Sequence, residues 1–559
     1  MIASPSTLFE NVDQAIHSVT NRILQTQRPD GSWADRLSSS ALSTASSAMA
    51  RYLWGRQAYA AEIDQAIQWL RTHQRDDGGW SDAESYHPSS LNGTAPALAA
   101  LQLIDPDGSG DAIARGLTFV TLHGGQSALR DLSRTTIGGT GLILMTLAGF
   151  YPWNMQPDQP MEIVLLPRRW RNKVSIGLPG LIAWGLMQDQ TLPRSRWRTM
   201  LRRWAVPRAL AWLRSVQAPN GGVLECPFAV AIMLMALHVA KIGEDIQEQC
   251  VHYLVNTRRD DGSWAIDRDL EVSVTCYLLN ALTEHAVSPN DPLVLKATTW
   301  LAQSQRQEFS PLGMPPGGWS WANPSGWPEA DDTATVLLTL LPHRERTPIR
   351  PAIDVAAQWL LHMQNTNGSW SEWVRNSTIL MDQPCPAVTA QACMALYRYS
   401  PNHTVEPIHR AVRYLQRTQR PDGSFHALWF RNYVFGTAKV VEMCAALDLT
   451  YLPMAEKAIS WLLSHQNENG SWGGPSGELL GTPEETAWAL YALLKTGIDV
   501  HHPAILRSIH WLVTHLQDHG GWNETPVGLY FMGLRYASDQ IANAYGLRAL
   551  SLWFHRSKE

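Results

Sequence analysis

Three carboxyl groups fall within four positions in Pro328-Glu329-Ala330-Asp331-Asp332-Thr333, immediately before the apolar run Ala334–Leu341. The run reads as a helix, so the acids sit in its first turn, where unpaired N–H groups and the macrodipole stabilise negative charge. That placement strengthens a carboxylic acid. Adjacent carboxylates repel, so Asp331 and Asp332 favour holding one proton between them. A carboxyl that starts protonated and leaves a stabilised anion suits proton donation to a weak base. The competing reading is ordinary capping, because acidic residues are common at helix starts. Trp319, Trp321 and Trp327 crowd the approach to the acids.

The elements that must hold these residues come from a repeat. Gln, then Asn or Asp, Gly, Ser or Gly, and Trp recur as QRPDGSW at Trp33, QRDDGGW at Trp80, RRDDGSW at Trp264, QNTNGSW at Trp370, QNENGSW at Trp472 and QDHGGW at Trp522. Weaker copies close at Gly222, Trp319 and Phe425. From Trp264 onward the steps are 55, 51, 55, 47 and 50 residues. A period near 50 fits two helices and two connections. Between motifs the apolar spacing is helical, as in Ala487-Leu490-Leu493-Leu494. The DG and NG steps supply the positive φ of a helix end. One helix of each unit ends in a Trp-Leu pair, for example Trp69-Leu70, Trp359-Leu360 and Trp461-Leu462. The motif Gln can hydrogen-bond helix termini, and the closing Trp can cover the start of the next helix. The repeat tryptophans read as glue between units. The fold class is all-α, built from helix pairs, as an open solenoid or a closed barrel.

Composition narrows the function. The chain has 559 residues, 25 Trp against 10 Phe, 45% apolar residues and a formal net charge of −5. A disordered chain is excluded, and a general nucleic-acid-binding field is absent. Six cysteines without a CxxC pair suggest neither a zinc site nor a disulfide framework, which points to reduced thiols in the cytoplasm. The first residues show no signal peptide, and no run reaches 18 apolar residues.

Several segments together resemble the class II terpene cyclases, closest to squalene–hopene cyclase. The QxxxGxW repeat is similar to their QW motif, and EADDTA (329–334) to their DxDDTA acid motif. Tyr151–Pro167 (YPW…MEIVLLP), Asn432–Thr437 (NYVFGT) and EETAWALYAL (484–493) resemble further segments in the same order. The resemblance implies two α/α-barrel domains, one inserted in the other: residues 1–35 with 288–559, and residues 36–287. It also implies proton-initiated cyclisation of a linear polyprene, squalene or a related isoprenoid, through carbocations. Protonating an alkene needs a strong acid. By resemblance Asp331 is the donor, with Asp332 and Glu329 tuning it. Carbocations are held by aromatic faces in a dry cavity. Trp321, Trp373, Trp429, Tyr433, Trp153 and Tyr536 are the aromatic candidates, each with plain core packing as the alternative. No cofactor or metal is implied, with Mg2+ entering only if the substrate is a diphosphate.

Two departures from the pattern stand out. Where the family places a His near the acid, this chain has Gln391, which carries no positive charge. The acid's activation must then use a neutral hydrogen bond or a water. Gapless alignment of the C-terminal segment puts Thr525, Leu529 and Gly533 in aromatic slots, with Tyr536 alone retained. This predicts fewer rings than a pentacyclic product, or a shorter substrate. Finally, Pro167–Lys173 and Arg194–Arg208 are arginine-rich and flank the apolar stretch Val174–Met187. An apolar helix with cationic flanks suits insertion into one leaflet; a buried core helix and an arginine clamp for a substrate diphosphate are the alternatives. The expected partners are an isoprenoid and a membrane surface through residues 168–208, with no nucleic acid and room for a homodimer. A binding-only isoprenoid protein is the remaining reading.

Overall fold

The computed structural model describes residues 5–559 except 36, 85–87, 132–134, 136–138, 172–173, 175–176, 192–195, 286, 475–479 and 531–532. The repeat closes on itself. Helices Glu271–Glu284, Ala330–Leu340, Pro386–Tyr399, Val434–Ala446, Pro483–Lys495 and Asp539–Arg556 pack each against the next, and the last packs back on the first. A second, outer layer includes Pro5–Gln25, which lies on Asp539–Arg556 and Pro503–Thr514. In the other barrel, Ala41–Gly55, Leu91–Ile104, Leu178–Thr191 and Pro227–Ala240 form much of the inner wall, with Pro227–Ala240 against Ala41–Gly55. The architecture is all-α with α/α barrels. Two three-residue strands, Gly528–Tyr530 and Leu534–Tyr536, form an antiparallel hairpin.

The motif residues fasten one unit to the next. Asn469 accepts from the Ser471 N–H at 3.0 Å, an Asx turn that sets up the positive φ at Gly470. A Cβ there would come within 2.6 Å of the Arg507 carbonyl oxygen, so only glycine permits the approach. Gln466 Nε2 donates to Gly470 O within its own turn at 3.0 Å and to Ala504 O in the next outer helix at 2.8 Å. Gln74, Gln305, Gln364 and Gln419 repeat this double bond. The Trp472 indole N–H donates to Leu462 O at 2.7 Å, the carbonyl of its own Trp-Leu pair. Its backbone N–H donates to Thr486 Oγ1 of the following inner helix at 3.0 Å. The closing Trp therefore ties off the helix behind it, and its backbone reaches the helix ahead.

Each barrel is closed by a long-range copy of the same fastener. Trp33 N–H donates to Thr275 Oγ1 at 2.9 Å, and Gln27 Nε2 reaches Leu293 O at 3.3 Å. Trp264 N–H donates to Thr44 Oγ1 at 3.0 Å. Helix Glu271–Glu284 shares a core with residues from 8–33 and 319–554.

The apolar stretch flanked by arginines is a core helix. Leu178, Ile182, Trp184, Leu186 and Met187 are buried against Pro227–Ala240, which removes the leaflet-inserting reading for that segment; Asn172, Lys173, Ser175, Ile176 and residues 192–195 lie outside the described residues. Exposed apolar groups nearby are Leu166, Trp170, Val174 and, at helical spacing on Arg196–Val216, Trp197, Met200, Leu201 and Trp204. Among the neighbouring arginines, Arg202 is buried between Glu162 and Asp189, and Arg198 pairs with Asp158. No helix among the described residues is long and apolar enough to cross a membrane.

Candidate active site

The acids open helix Ala330–Leu340 at the wall of a cavity. The cavity lies where the two barrels meet: Leu37, Leu224 and Asp267 come from one side, and Ser273, Tyr277 and the acid helix from the other. Glu329, Asp331 and Asp332 all line it.

Burial sets the acidity of the cluster. Enclosure, with the neighbouring Asp332 charge, pushes Asp331 from its usual range up to about 7. Three groups pull it back: Gln391, Lys439 and Thr335. Gln391 Nε2 donates to Asp331 Oδ1 at 2.6 Å and to Thr335 Oγ1 at 3.1 Å. Lys439 is itself buried, bonded to Glu442 Oε1 at 2.9 Å. Asp332 is raised less, because it accepts hydrogen bonds from Glu329 and from Ser273 Oγ, the latter at 2.7 Å. Glu329 goes well above the carboxylate range through burial and the Asp332 charge, so it holds its proton. The arrangement therefore contains one proton-holding glutamic acid, one aspartate fixed as an acceptor, and one aspartic acid poised near neutrality. A carboxyl held near neutrality, with an amide N–H bonded to its oxygen, has the chemistry to exchange a proton.

Opposite the acids stands a row of indoles. Trp321 and Trp373 meet edge to face at 6.4 Å between centroids, and Trp373 and Trp429 at 5.4 Å. All three line the cavity, as do Tyr277, Phe430, Tyr530 and Tyr536. The ends of the row are pinned: Trp321 Nε1 donates to Asp267 Oδ2 at 2.9 Å, and Trp429 Nε1 to Glu372 Oε1 at 2.9 Å. Such faces attract a cation most strongly where water is excluded.

The comparisons match this geometry. A squalene-hopene cyclase C-terminal domain profile covers residues 271–536, and the N-terminal domain profile covers residues 16–175. The chain belongs to the squalene–hopene cyclase family. It is a class II terpene cyclase, an intramolecular isomerase. The squalene–hopene cyclase of Alicyclobacillus acidocaldarius is 27% identical, with 85% of this chain and 86% of that protein aligned. The enfumafungin synthase of Hormonema carpetanum is 24% identical over 88% of this chain, which spans only 45% of that protein's length. Among solved structures, an ent-copalyl diphosphate synthase from Streptomyces platensis superposes with a TM-score of 0.64 at 19% identity, covering 97% of this chain and 99% of that one. That likeness is one of fold.

Within the cyclase, the structure gathers Glu329, Asp331, Asp332, Trp321, Trp373, Trp429 and Tyr536 on one cavity, with Gln391 behind Asp331. Two expected aromatics stand elsewhere. Tyr433 has a φ of 63° and caps helix Val434–Ala446, its ring covered by the Arg420 guanidinium at 4.3 Å. Trp153 lies half-buried in the one-turn segment Trp153–Met155 on the other barrel's core. Of the C-terminal slots, Thr525 bonds Glu484 and Gly533 is exposed near the hairpin turn, while Tyr530, which alignment did not select, faces the cavity. None of the described residues between 168 and 208 lines the chamber.

Sequence reasoning also missed Glu372, Asp267, Ser273, Tyr277 and Lys439. Two carried a readable signal. Glu372 follows the motif Trp370 by two positions and Asp267 follows Trp264 by three, the same offsets that bring Trp321 and Trp373 to the cavity after Trp319 and Trp370.

Proposed function

We propose that this cyclase protonates an uncharged linear polyprene of squalene type and folds it into rings along the indole row. The observation that carries this is the chemistry of the wall. Asp267, Glu329, Asp331 and Asp332 face the chamber among aromatic and aliphatic groups. A diphosphate there would meet carboxyl groups, whereas a hydrocarbon meets apolar surface and a single acid able to start the reaction.

In this reading Asp331 gives its proton to a terminal alkene, and the tertiary cation that forms is held by the faces of Trp321, Trp373 and Trp429. Gln391 holds the Asp331 anion left behind. Asp332 and Glu329 keep the cluster's remaining proton away from the reacting carbon. Ring closures move bonding electrons along the chain without a redox partner, and loss of a proton or capture of water ends the sequence. Tyr277, Tyr530 and Tyr536 serve the later cations. The barrel carrying the acids comprises the N-terminal helix and the C-terminal half; the other barrel completes the chamber. Entry is from a membrane surface, met by Trp170, Trp197 and Trp204 with the exposed Arg196, Arg203 and Arg208 beside them.

The test is incubation of the purified protein in detergent with squalene, and separately with farnesyl and geranylgeranyl diphosphates, with product identification by mass spectrometry. A cyclic product from squalene, lost in Asp331→Asn, is expected. Turnover of a diphosphate alone would overturn the substrate class.

A further inference from the structure

Helix Ala330–Leu340 carries the proton donor, yet its N-cap residue, Glu329, makes no side-chain capping bond. The cap comes from the neighbouring repeat. The Glu372 backbone carbonyl accepts the Ala330 N–H at 3.0 Å, and its Oε2 accepts the Asp331 N–H at 3.1 Å. Its other oxygen, Oε1, accepts the Trp429 indole N–H at 2.9 Å. Glu372 is fully buried, so both N–H groups depend on it and neither has water as a substitute.

We propose that Glu372 is a positioning residue that fixes the distance and orientation of the Trp429 face relative to the Asp331 carboxyl, and so decides how far cyclisation runs before the cation is quenched. This rests on the reading of the cavity as the cyclisation chamber. Two of the three contacts use one rigid carboxyl, which joins the start of the acid helix to the indole of Trp429. A cation formed at the Asp331 end is stabilised by Trp429 only while that ring keeps its face toward the chamber. Released from Oε1, the indole N–H must find another acceptor, and the ring turns with it. The Asp331 backbone would keep its helical position more readily, because one capping carbonyl, that of Glu372 itself, survives any change of side chain.

Glu372→Gln tests this. The amide oxygen accepts from one N–H, and its NH2 group opposes the other, so one of the two contacts is lost. With the substrate that the wild type cyclises, the share of early-terminated, fewer-ring products should rise about tenfold, with kcat falling by a similar factor and KM little changed. A merely structural role would lower the amount of active enzyme without changing the product ratio. In a Trp429→Phe background, which keeps a π face but has no N–H to hold, adding Glu372→Gln should change the ratio by less than about twofold. An unchanged ratio in folded Glu372→Gln, or an equal change in both backgrounds, overturns the proposal. If the wild type cyclises none of the three polyprenes, the proposed substrate class falls, and Glu372 is judged without turnover: the 15N indole resonance of Trp429, assigned by its loss in Trp429→Phe, must move in Glu372→Gln, and a stationary resonance refutes the clamp.

Discussion

Replacing Gln391 by Leu removes the strongest local support of the Asp331 anion. In the wild type, burial and Asp332 push this acid up while Gln391 leads the groups that pull it down, leaving it at about 7. A hydrogen bond to a charged group contributes about 1.5–3 kcal/mol. At about 1.4 kcal/mol per pH unit, its loss raises Asp331 by about one to two units, to about 8–9. Initiation needs the protonated form, so wild-type kcat should fall as pH rises through about 7, dropping about tenfold between pH 6 and 8. In Gln391→Leu the descending limb moves to higher pH. The plateau below it drops about three- to tenfold, because the protonated carboxyl is a weaker acid. The assay is kcat in detergent from pH 5.5 to 9.5, by mass spectrometry of extracted product. A limb that stays near 7, or moves to lower pH, in a variant that melts like the wild type would refute the assignment of Asp331 as donor and Gln391 as its support.

Trp472→Phe should lose about 1–3 kcal/mol of stability, read by denaturant unfolding, because Leu462 O loses its buried donor. Its products should match the wild type, since Trp472 is off the chamber wall, and Phe425 already stands at the equivalent position of another repeat. Burial holds Asp331 and Asp382 up at about 7 and Asp82 at about 6, against 3.8 unfolded, so the folded state binds protons more tightly. That stability is fully present below about pH 4 and is lost as pH rises through 6–7, so Tm should be lower at pH 8 than at pH 5, and Asp382→Asn should flatten the difference.

The repeat made the helix pairs and their fasteners legible, because the Gln, Gly and Trp of each copy answer local needs: helix-end carbonyls, a positive φ and a tie for the preceding helix. The resemblance marked the acids and the indole row. What it could not place were groups whose neighbours come from distant units. In sequence, helix Glu271–Glu284 looks equally at home in either barrel; its packing on Ala330–Leu340 and Asp539–Arg556 and the Trp33 contact with Thr275, 242 positions away, assign it. Tyr433 was misplaced because a left-handed backbone turns its ring toward Arg420. Tyr530 escaped notice because its hairpin has no repeat partner to fix a register. Glu372 and Asp267 were within reach: positions two and three after a motif Trp point into the ring, and a carboxyl there is a signal in itself.

The Trp33–Thr275 fastener also dictates an order of events during synthesis. The barrel between residues 37 and 266 is drawn from one continuous stretch and can close as soon as Trp264 meets Thr44. The other barrel draws on both sides of that stretch, and its helices Pro5–Gln25 and Asp539–Arg556 pack together. Its wall therefore stays open until Asp539–Arg556 has been made, with helix Pro5–Gln25 waiting beside a completed neighbour. The chamber, which needs both barrels, is complete only once Asp539–Arg556 has joined the ring.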